Sequence, residues 1–150
     1  MQFTVAILLL LAMSHAQAAC RYRWTYRNGK YYKFMDKLTT WDQAETNCMT
    51  SNSHLLTLYT ASERDDFKSN LWNTLNIPDD AELWLGFKEG PAGKYVDVNG
   101  APIEDKTTSW ERGEPKDVPG SVDCAITNTA GQWWAKVCSN AYRYVCQTLD

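Results

Sequence analysis

The segment at residues 110–124, WERGEPKDVPGSVDC, brings together residue types that bind cations. Glu114, Asp117 and Asp123 offer carboxylate oxygens, which calcium takes in sets of six to eight. Lys116 lies among them and carries a charge of the same sign as a metal ion. At about 4 Å and an effective dielectric near 20, the two would repel by about 8 kcal/mol. We therefore expect the ammonium to replace a cation, pairing with Glu114 or Asp117.

This 150-residue chain has few residues from which a zinc site or a catalytic site could be built. The one histidine after residue 18 is His54, expected at the end of a helix, and there is no CxxC pair, so zinc lacks ligands. A nucleophilic triad would rest on His54 alone. The adjacent acids Asp65-Asp66 and Asp79-Asp80 do not indicate carboxylates facing each other across a cleft. We therefore expect that this protein is not an enzyme.

The N-terminal residues 1–18 have the pattern of a secretory signal peptide: an apolar run at residues 5–13, then Ala16 and Ala18 before the cleavage point. The run is too short to span a bilayer, which takes about 20 apolar residues. We expect a secreted, extracellular domain at residues 19–150 without membrane insertion. The formal net charge of −3, with interspersed signs, gives no basic stripe for nucleic acid.

The five cysteines all follow the predicted cleavage point, at positions 20, 48, 124, 138 and 146. An oxidising compartment favours disulfides, and the sequence alone permits several pairings. An odd number leaves one thiol over.

The elements that must position these residues begin with a β-hairpin around Asn28-Gly29, a strong two-residue turn signal. Capping-box patterns at Thr40 and Thr60 predict two helices. Their buried faces, on helical spacing, are Trp41, Ala44 and Cys48 in the first helix and Phe67, Leu71 and Leu75 in the second, which ends before Pro78. Short strand patterns follow from residue 83, so the fold class is α+β. Residues 100–123 form a long irregular loop.

Four fragments, WDQAETNC, WLGF, SWERGEPK and YVC, occur in the order and spacing of the C-type lectin-like domain, which this chain resembles over residues 19–150. The resemblance implies two helices packed on antiparallel β-sheets, a long irregular loop region, and the disulfides Cys48–Cys146 and Cys124–Cys138. It also implies a cis peptide bond before Pro115. Cys20 is then left for an intermolecular disulfide and a homodimer, or for capping by a small thiol.

In lectins of this family, five side chains hold a calcium ion to which the sugar binds. The matching positions here are Glu114, Lys116, Val122, Trp134 and Ala135, of which only Glu114 offers an oxygen. We therefore expect no required cofactor. A second calcium position of the family matches Asp117 and Asp123, with Glu89 as a third acid, which predicts an incomplete metal site. These acids alternatively cap turns.

Trp84, Trp110 and Trp133 match core positions of the family. Because neighbouring side chains on a strand alternate between faces, Trp134 should face the loop or solvent. It could there stack on a sugar ring, shield Lys116 or fill the loop. The predicted glycan site is therefore Glu114, Lys116 and Trp134, in a secreted lectin for glycans or glycoproteins with weak or no calcium dependence. The alternative is a domain that binds protein or mineral matrix instead of sugar.

Overall fold

The computed structural model describes residues 23–104, 108–116 and 121–149. The predicted signal peptide, Cys20 and Asp117 lie outside these ranges. Strand β1 (Thr25–Arg27) pairs antiparallel with β2 (Lys30–Thr39). Asn28 and Gly29 join them with φ values of 50° and 79°, as the Asn-Gly signal predicts for a tight hairpin turn.

Helix α1 (Trp41–Met49) begins at Thr40, whose side chain accepts a hydrogen bond from the Gln43 backbone N–H. The second half of the predicted capping box differs, because the Gln43 side chain accepts from the Thr39 hydroxyl at 2.7 Å. The predicted apolar face of α1 is buried.

The sequence predicts that His54 lies at the end of this helix, but the structure places it elsewhere. It begins the short strand β3 (His54–Leu55), which pairs with the last strand of the chain. The imidazole still reaches back to α1, where Nδ1 lies 2.5 Å from Glu45 Oε1. The same carboxylate accepts the Leu55 N–H at 2.8 Å. Strand pairing, which the local sequence does not reveal, fixes this position.

Helix α2 consists of three contiguous segments, Ala61–Asp66, a π-helical Phe67–Leu71, and Trp72–Thr74. The predicted capping box between Thr60 and Glu63 is complete. The π turn departs from the regular helix expected. Its i→i+5 bond, from the Trp72 N–H to the Phe67 carbonyl, brings these two rings into an edge contact at 5.6 Å. Both rings are thereby buried in the core.

The remaining strands are β4 (Leu83–Glu89), β5 (Tyr95–Asp97), β6 (Asp123–Thr127), β7 (Trp133–Val137) and β8 (Tyr142–Leu149). The strands of the described ranges form one sheet with the order β1-β2-β8-β4-β6-β7, on which β3 pairs with β8 and β5 with β4. β4 and β8 are parallel, unlike the antiparallel pairing expected. Such a pair needs a long connection, which the loop and the β6–β7 hairpin provide.

Two hydrophobic clusters form the core. The first holds Phe67, Leu71 and Trp72 of α2 and the rings of Phe87 and Trp133, while the second surrounds Trp41 and Trp84. The predicted disulfides are confirmed: Cys48–Cys146 ties α1 to β8, and Cys124–Cys138 joins β6 to the end of β7. Of the helices in the described ranges, none combines the length and apolar character needed to cross a bilayer.

Candidate binding site around Glu114 and Lys116

The loop that carries the candidate residues is anchored along strand β7. Trp110 forms a parallel bridge with Trp133. The Glu111 N–H donates to the Trp133 carbonyl, and the Trp133 N–H donates to the Ser109 carbonyl, each at 2.9 Å. Residues 109–111 are thus held as a short extension of the sheet, and residues 112–116 follow from a fixed starting point.

Glu114 lies at the centre of this loop with its side chain only 7% exposed. One carboxylate oxygen, Oε2, accepts the backbone N–H of Lys116 at 3.1 Å and that of Ala135 at 3.0 Å. The Glu114–Pro115 peptide bond is cis, as the resemblance implies. The carboxylate therefore fastens the loop to β7, and this oxygen is fully used in doing so.

The Lys116 side chain is 75% exposed, and its Nζ lies 3.9 Å from Glu114 Oε1. This is a long ion pair, and such exposed pairs contribute little to stability. The ammonium is consequently held near the buried carboxylate while most of its surface faces water. Of the two partners expected for Lys116, the structure provides Glu114, and Asp117 lies outside the described residues.

Two of the three acids predicted for a second cation position, Glu89 and Asp123, line a depression together with Lys116, and the third, Asp117, lies outside the described residues. Asp123 is buried at the start of β6, and its N–H donates to Glu89 Oε2 at 3.4 Å. Asp123 Oδ1 accepts from the Ser121 hydroxyl at 3.2 Å. A depression of about 220 Å³ separates these acids from the loop, and is lined by Glu89, Gly93, Tyr95, Pro115, Lys116 and Asp123. The structure thus brings Glu89 and Asp123 together with Lys116.

The donor set does not fit a calcium ion at the family's main position. Of the residues that match this position in the sequence, Lys116 carries an ammonium, Ala135 a methyl group, and Val122, which is 57% exposed, an apolar side chain. In the described ranges, no group of three or more His, Cys, Asp or Glu residues is arranged to hold a metal ion. Glu114 alone offers carboxylate oxygens, and the backbone N–H groups of Lys116 and Ala135 already occupy one of them, Oε2.

Trp133 and Trp134 lie on opposite faces of β7, as the alternation predicts. Trp133 is 1% exposed and belongs to the first cluster, and Trp84 is fully buried in the second. Trp110 is half-buried against the first cluster. Trp134 is also half-buried, but it packs against the second cluster. It is not one of the residues that line the depression beside Lys116.

A larger depression, of about 740 Å³, adjoins the first one. Its described lining includes Lys94, Tyr95, Pro102, Ile103, Glu104, Thr108, Trp110, Glu114 and Pro115. The sequence alone does not reveal it, because its residues come from three separate stretches of the chain. The apolar pair Pro102-Ile103, within a loop otherwise rich in charged residues, is the one local signal of an additional surface.

The Lectin C-type domain model matches residues 37–148. The chain belongs to the C-type lectin domain family. It is 30% identical over 134 residues to asialoglycoprotein receptor 1 of Rattus norvegicus, covering 86% of this chain but 44% of that protein. It is 25% identical to an alpha-N-acetylgalactosamine-specific lectin of Patiria pectinifera, over 83% of this chain and 77% of that one.

Among solved structures, the fold is similar to that of the C-type lectin CEL-I from Cucumaria echinata, with a TM-score of 0.72 and 23% sequence identity. That comparison covers 86% of this chain and 96% of CEL-I. The chain spans less than half the length of the asialoglycoprotein receptor it matches. The similarity to CEL-I therefore concerns the fold, and the receptor similarity concerns one domain.

Proposed function

We propose that this chain is a non-enzymatic carbohydrate-binding protein that binds glycans or glycoproteins with little dependence on calcium. The observation that carries this proposal is the state of the family's calcium position. There Glu114 is buried and bound to the backbone, while the Lys116 ammonium is exposed beside it. Membership of the C-type lectin domain family and the similarity to lectins support carbohydrate as the ligand class.

The chemistry of the site suits hydroxyl groups without a metal. An ammonium has three donors, and Lys116 can direct them at sugar oxygens. Glu89 lies in the same depression and offers acceptor oxygens to sugar hydroxyls. Glu114 keeps the loop in place, so the donor is presented from a fixed backbone. Trp134 is the third proposed contact, through the part of its indole that remains exposed.

Retention on immobilised sugars tests this function. The wild-type protein should be retained and then released by a soluble monosaccharide, and Lys116→Ala should lose most of that retention. Lys37→Ala is the matched control, because Lys37 is exposed on β2, a strand that contributes nothing to the lining of the depression. Retention that no monosaccharide displaces would contradict the proposal and favour the alternative, binding to protein or mineral matrix.

Trp134 is tested by its own substitution. We expect Trp134→Ala to weaken glycan binding about tenfold, near 1.4 kcal/mol. Trp133→Ala serves as the comparison, since truncating a buried aromatic typically costs about 3–5 kcal/mol of folding stability. Normal glycan binding by folded Trp134→Ala would remove Trp134 from the site and leave Glu114 and Lys116 as its core.

We further propose that residues 1–18 direct secretion and that Cys20 forms an intermolecular disulfide. Four of the five cysteines are paired within the domain, so Cys20 is the remaining thiol. Two linked sites would gain avidity of about a hundredfold or more if both engage one surface. The secreted protein should migrate as a dimer on a non-reducing gel and as a monomer after Cys20→Ser. A wild-type monomer would contradict the dimer.

A further inference from the structure

The depression beside Lys116 and the larger depression adjoin each other at three shared lining residues, Gly93, Tyr95 and Pro115. The two together are called the trough below. The smaller part, at about 220 Å³, falls below the range of about 300–1,000 Å³ that is usual for small-ligand sites. The larger part, at about 740 Å³, falls well within it. Most of the room for a ligand therefore lies away from Lys116.

The floor of the larger part is aromatic. Tyr95 and Trp110 meet edge to face with ring centroids 4.8 Å apart. Trp110 in turn rests against Trp133 at 5.7 Å, also edge to face. Two buried neighbours thus fix the Trp110 ring, which is itself half-buried and lines the trough. A rigid aromatic surface of this kind suits the apolar C–H face of a pyranose ring.

The backbone that leads to Ile103, another lining residue of the larger part, is also held in a set position. Asp97 is buried, and its Oδ1 accepts the N–H groups of Asn99 and Ala101 at 2.8 and 2.9 Å. The Tyr59 hydroxyl donates to Asp97 Oδ2 at 2.7 Å. Beyond this turn, the Ile103 N–H donates to the Tyr95 carbonyl at 3.1 Å. These bonds fix the backbone of Ile103 next to Tyr95 in the lining of the trough.

Polar groups lie along the rim of the trough. Lys94 and Glu104 are exposed there with opposite charges, and Thr108 is half-buried. An apolar floor with a polar rim matches a sugar residue, which has one apolar face and hydroxyls around its edge. A peptide would instead need unpaired backbone groups or deep side-chain pockets. The trough therefore favours a carbohydrate that is longer than one residue.

We propose that this protein binds an extended oligosaccharide, whose terminal residue contacts Lys116 and whose following residues lie along the trough over Trp110 and Tyr95. This inference rests on the proposed function, because it takes carbohydrate as the ligand class. It adds the length of the ligand and a second set of contact residues. Pro115 lies where the two parts meet, so the ligand passes over it between its first and second residues.

The test compares ligand lengths on one glycan array with the unmodified protein. The probes are galactose, N-acetylgalactosamine and mannose, each as a monosaccharide and as tri- to pentasaccharides ending in the same residue. We expect the longer member of the bound series to bind at least about tenfold more tightly, the factor that 1.4 kcal/mol of additional contact gives. Equal affinity for both lengths would overturn the proposal that the trough binds sugar residues but leave the proposed function intact. Binding to no sugar would overturn both.

Two variants locate the additional contacts. Lys94→Ala should lower oligosaccharide affinity about fivefold, the loss that corresponds to one ordinary hydrogen bond of about 1 kcal/mol, and leave monosaccharide affinity unchanged. Lys37→Ala should change neither. Trp110→Leu should remove the length preference, with its fold checked by melting temperature because Trp110 also packs on Trp133. A length preference that survives both Lys94→Ala and a folded Trp110→Leu would place the additional contacts elsewhere and overturn the proposal.

Discussion

Glu45 in helix α1 and Glu114 in the loop before β6 are both buried glutamates, with side chains 10% and 7% exposed. Each accepts backbone N–H groups from a neighbouring strand: Glu45 from Leu55, and Glu114 from Ala135. They differ in the basic group beside them. Glu45 contacts His54 at 2.5 Å, whereas the Lys116 ammonium stands 3.9 Å from Glu114.

This difference separates a framework region from a binding region. Around Glu45, the chain is tied by strand pairing and by the Cys48–Cys146 disulfide, so the carboxylate is used within the fold. Around Glu114, the carboxylate holds the backbone while its basic partner remains 75% exposed. The same device, a buried carboxylate that accepts backbone hydrogens, therefore supports stability in one place and presents a charged group in the other.

The largest expected effect concerns the two disulfides. Replacing Cys48 and Cys146 with alanine should lower the free energy of unfolding by about 4.7 kcal/mol, the chain-entropy value for a loop of about 100 residues. Replacing Cys124 and Cys138 should cost about 3 kcal/mol, because that loop is short. Urea denaturation of both double variants measures this. A larger loss of stability on removing Cys124–Cys138 than on removing Cys48–Cys146 would contradict this prediction, because it would make the binding region the more important one for stability.

The second prediction compares the effects of removing each of the two glutamates. Glu45→Ala and Glu114→Ala each leave backbone N–H groups without their acceptor, so each should cost about 1–3 kcal/mol of stability. Only Glu114→Ala should also weaken retention on sugar, because the loop that presents Lys116 is released. Urea denaturation and sugar-column retention of both variants check this. Equal loss of retention in folded Glu45→Ala would show that the two regions are not separate.

A smaller effect is expected from the ion pair that connects the β1–β2 hairpin to α2. Hydrogen bonds from the Arg27 guanidinium lower the pKa of Asp66 below its usual 3.8. A carboxylate with a lowered pKa stabilises the fold above its usual pKa and loses this as the pH falls through the lowered value. Asp66→Asn should therefore cost less than about 1 kcal/mol at neutral pH, since the pair is partly exposed.

Urea denaturation of wild type and Asp66→Asn, repeated from neutral pH into acid until Asp66 is protonated, measures this contribution. The two proteins should differ at neutral pH and converge in acid. A difference that stays constant across that range would show that the carboxylate charge is not the source. The pair lies in neither the Glu45 nor the Glu114 region, so sugar retention should be unchanged.

The smallest effect is that of calcium on stability. A ligand present at one hundred times its dissociation constant adds about 2.7 kcal/mol to the free energy of unfolding. Because we propose that the Lys116 ammonium replaces the calcium ion, we expect millimolar calcium to leave the melting temperature almost unchanged relative to chelator. A rise of several degrees would show that Glu89, Asp117 and Asp123 still form a cation site. It would then be less clear that Lys116, held beside Glu114, replaces the metal ion.

The parts of this fold that sequence predicts are those set by neighbouring residues or by the resemblance. The Asn28-Gly29 turn and the Thr60–Glu63 capping box are local, and the structure confirms both. The parallel pairing of β4 with β8 was missed, since it joins strands about 60 residues apart. The π turn was missed because Phe67 and Leu71 fit an ordinary helix equally well.

The candidate site shows the same limit. Glu114 and Lys116 were identifiable because they are two residues apart in a recognised segment. Trp134 was expected to face the loop or solvent, but a second hydrophobic cluster covers that side of β7 and half-buries it. The trough could not be predicted, since Tyr95 and Pro115 meet only through the tertiary fold.

We propose above all that the Lys116 ammonium replaces the family's calcium ion in binding sugar. A glycan-array screen of the wild-type protein, run once in calcium and once in chelator, tests it most directly. We predict the same set of bound glycans in both conditions, with nearly equal signals, and loss of those signals in Lys116→Ala but not in Lys37→Ala. Binding that appears only in calcium, or that survives Lys116→Ala unchanged, would contradict the claim.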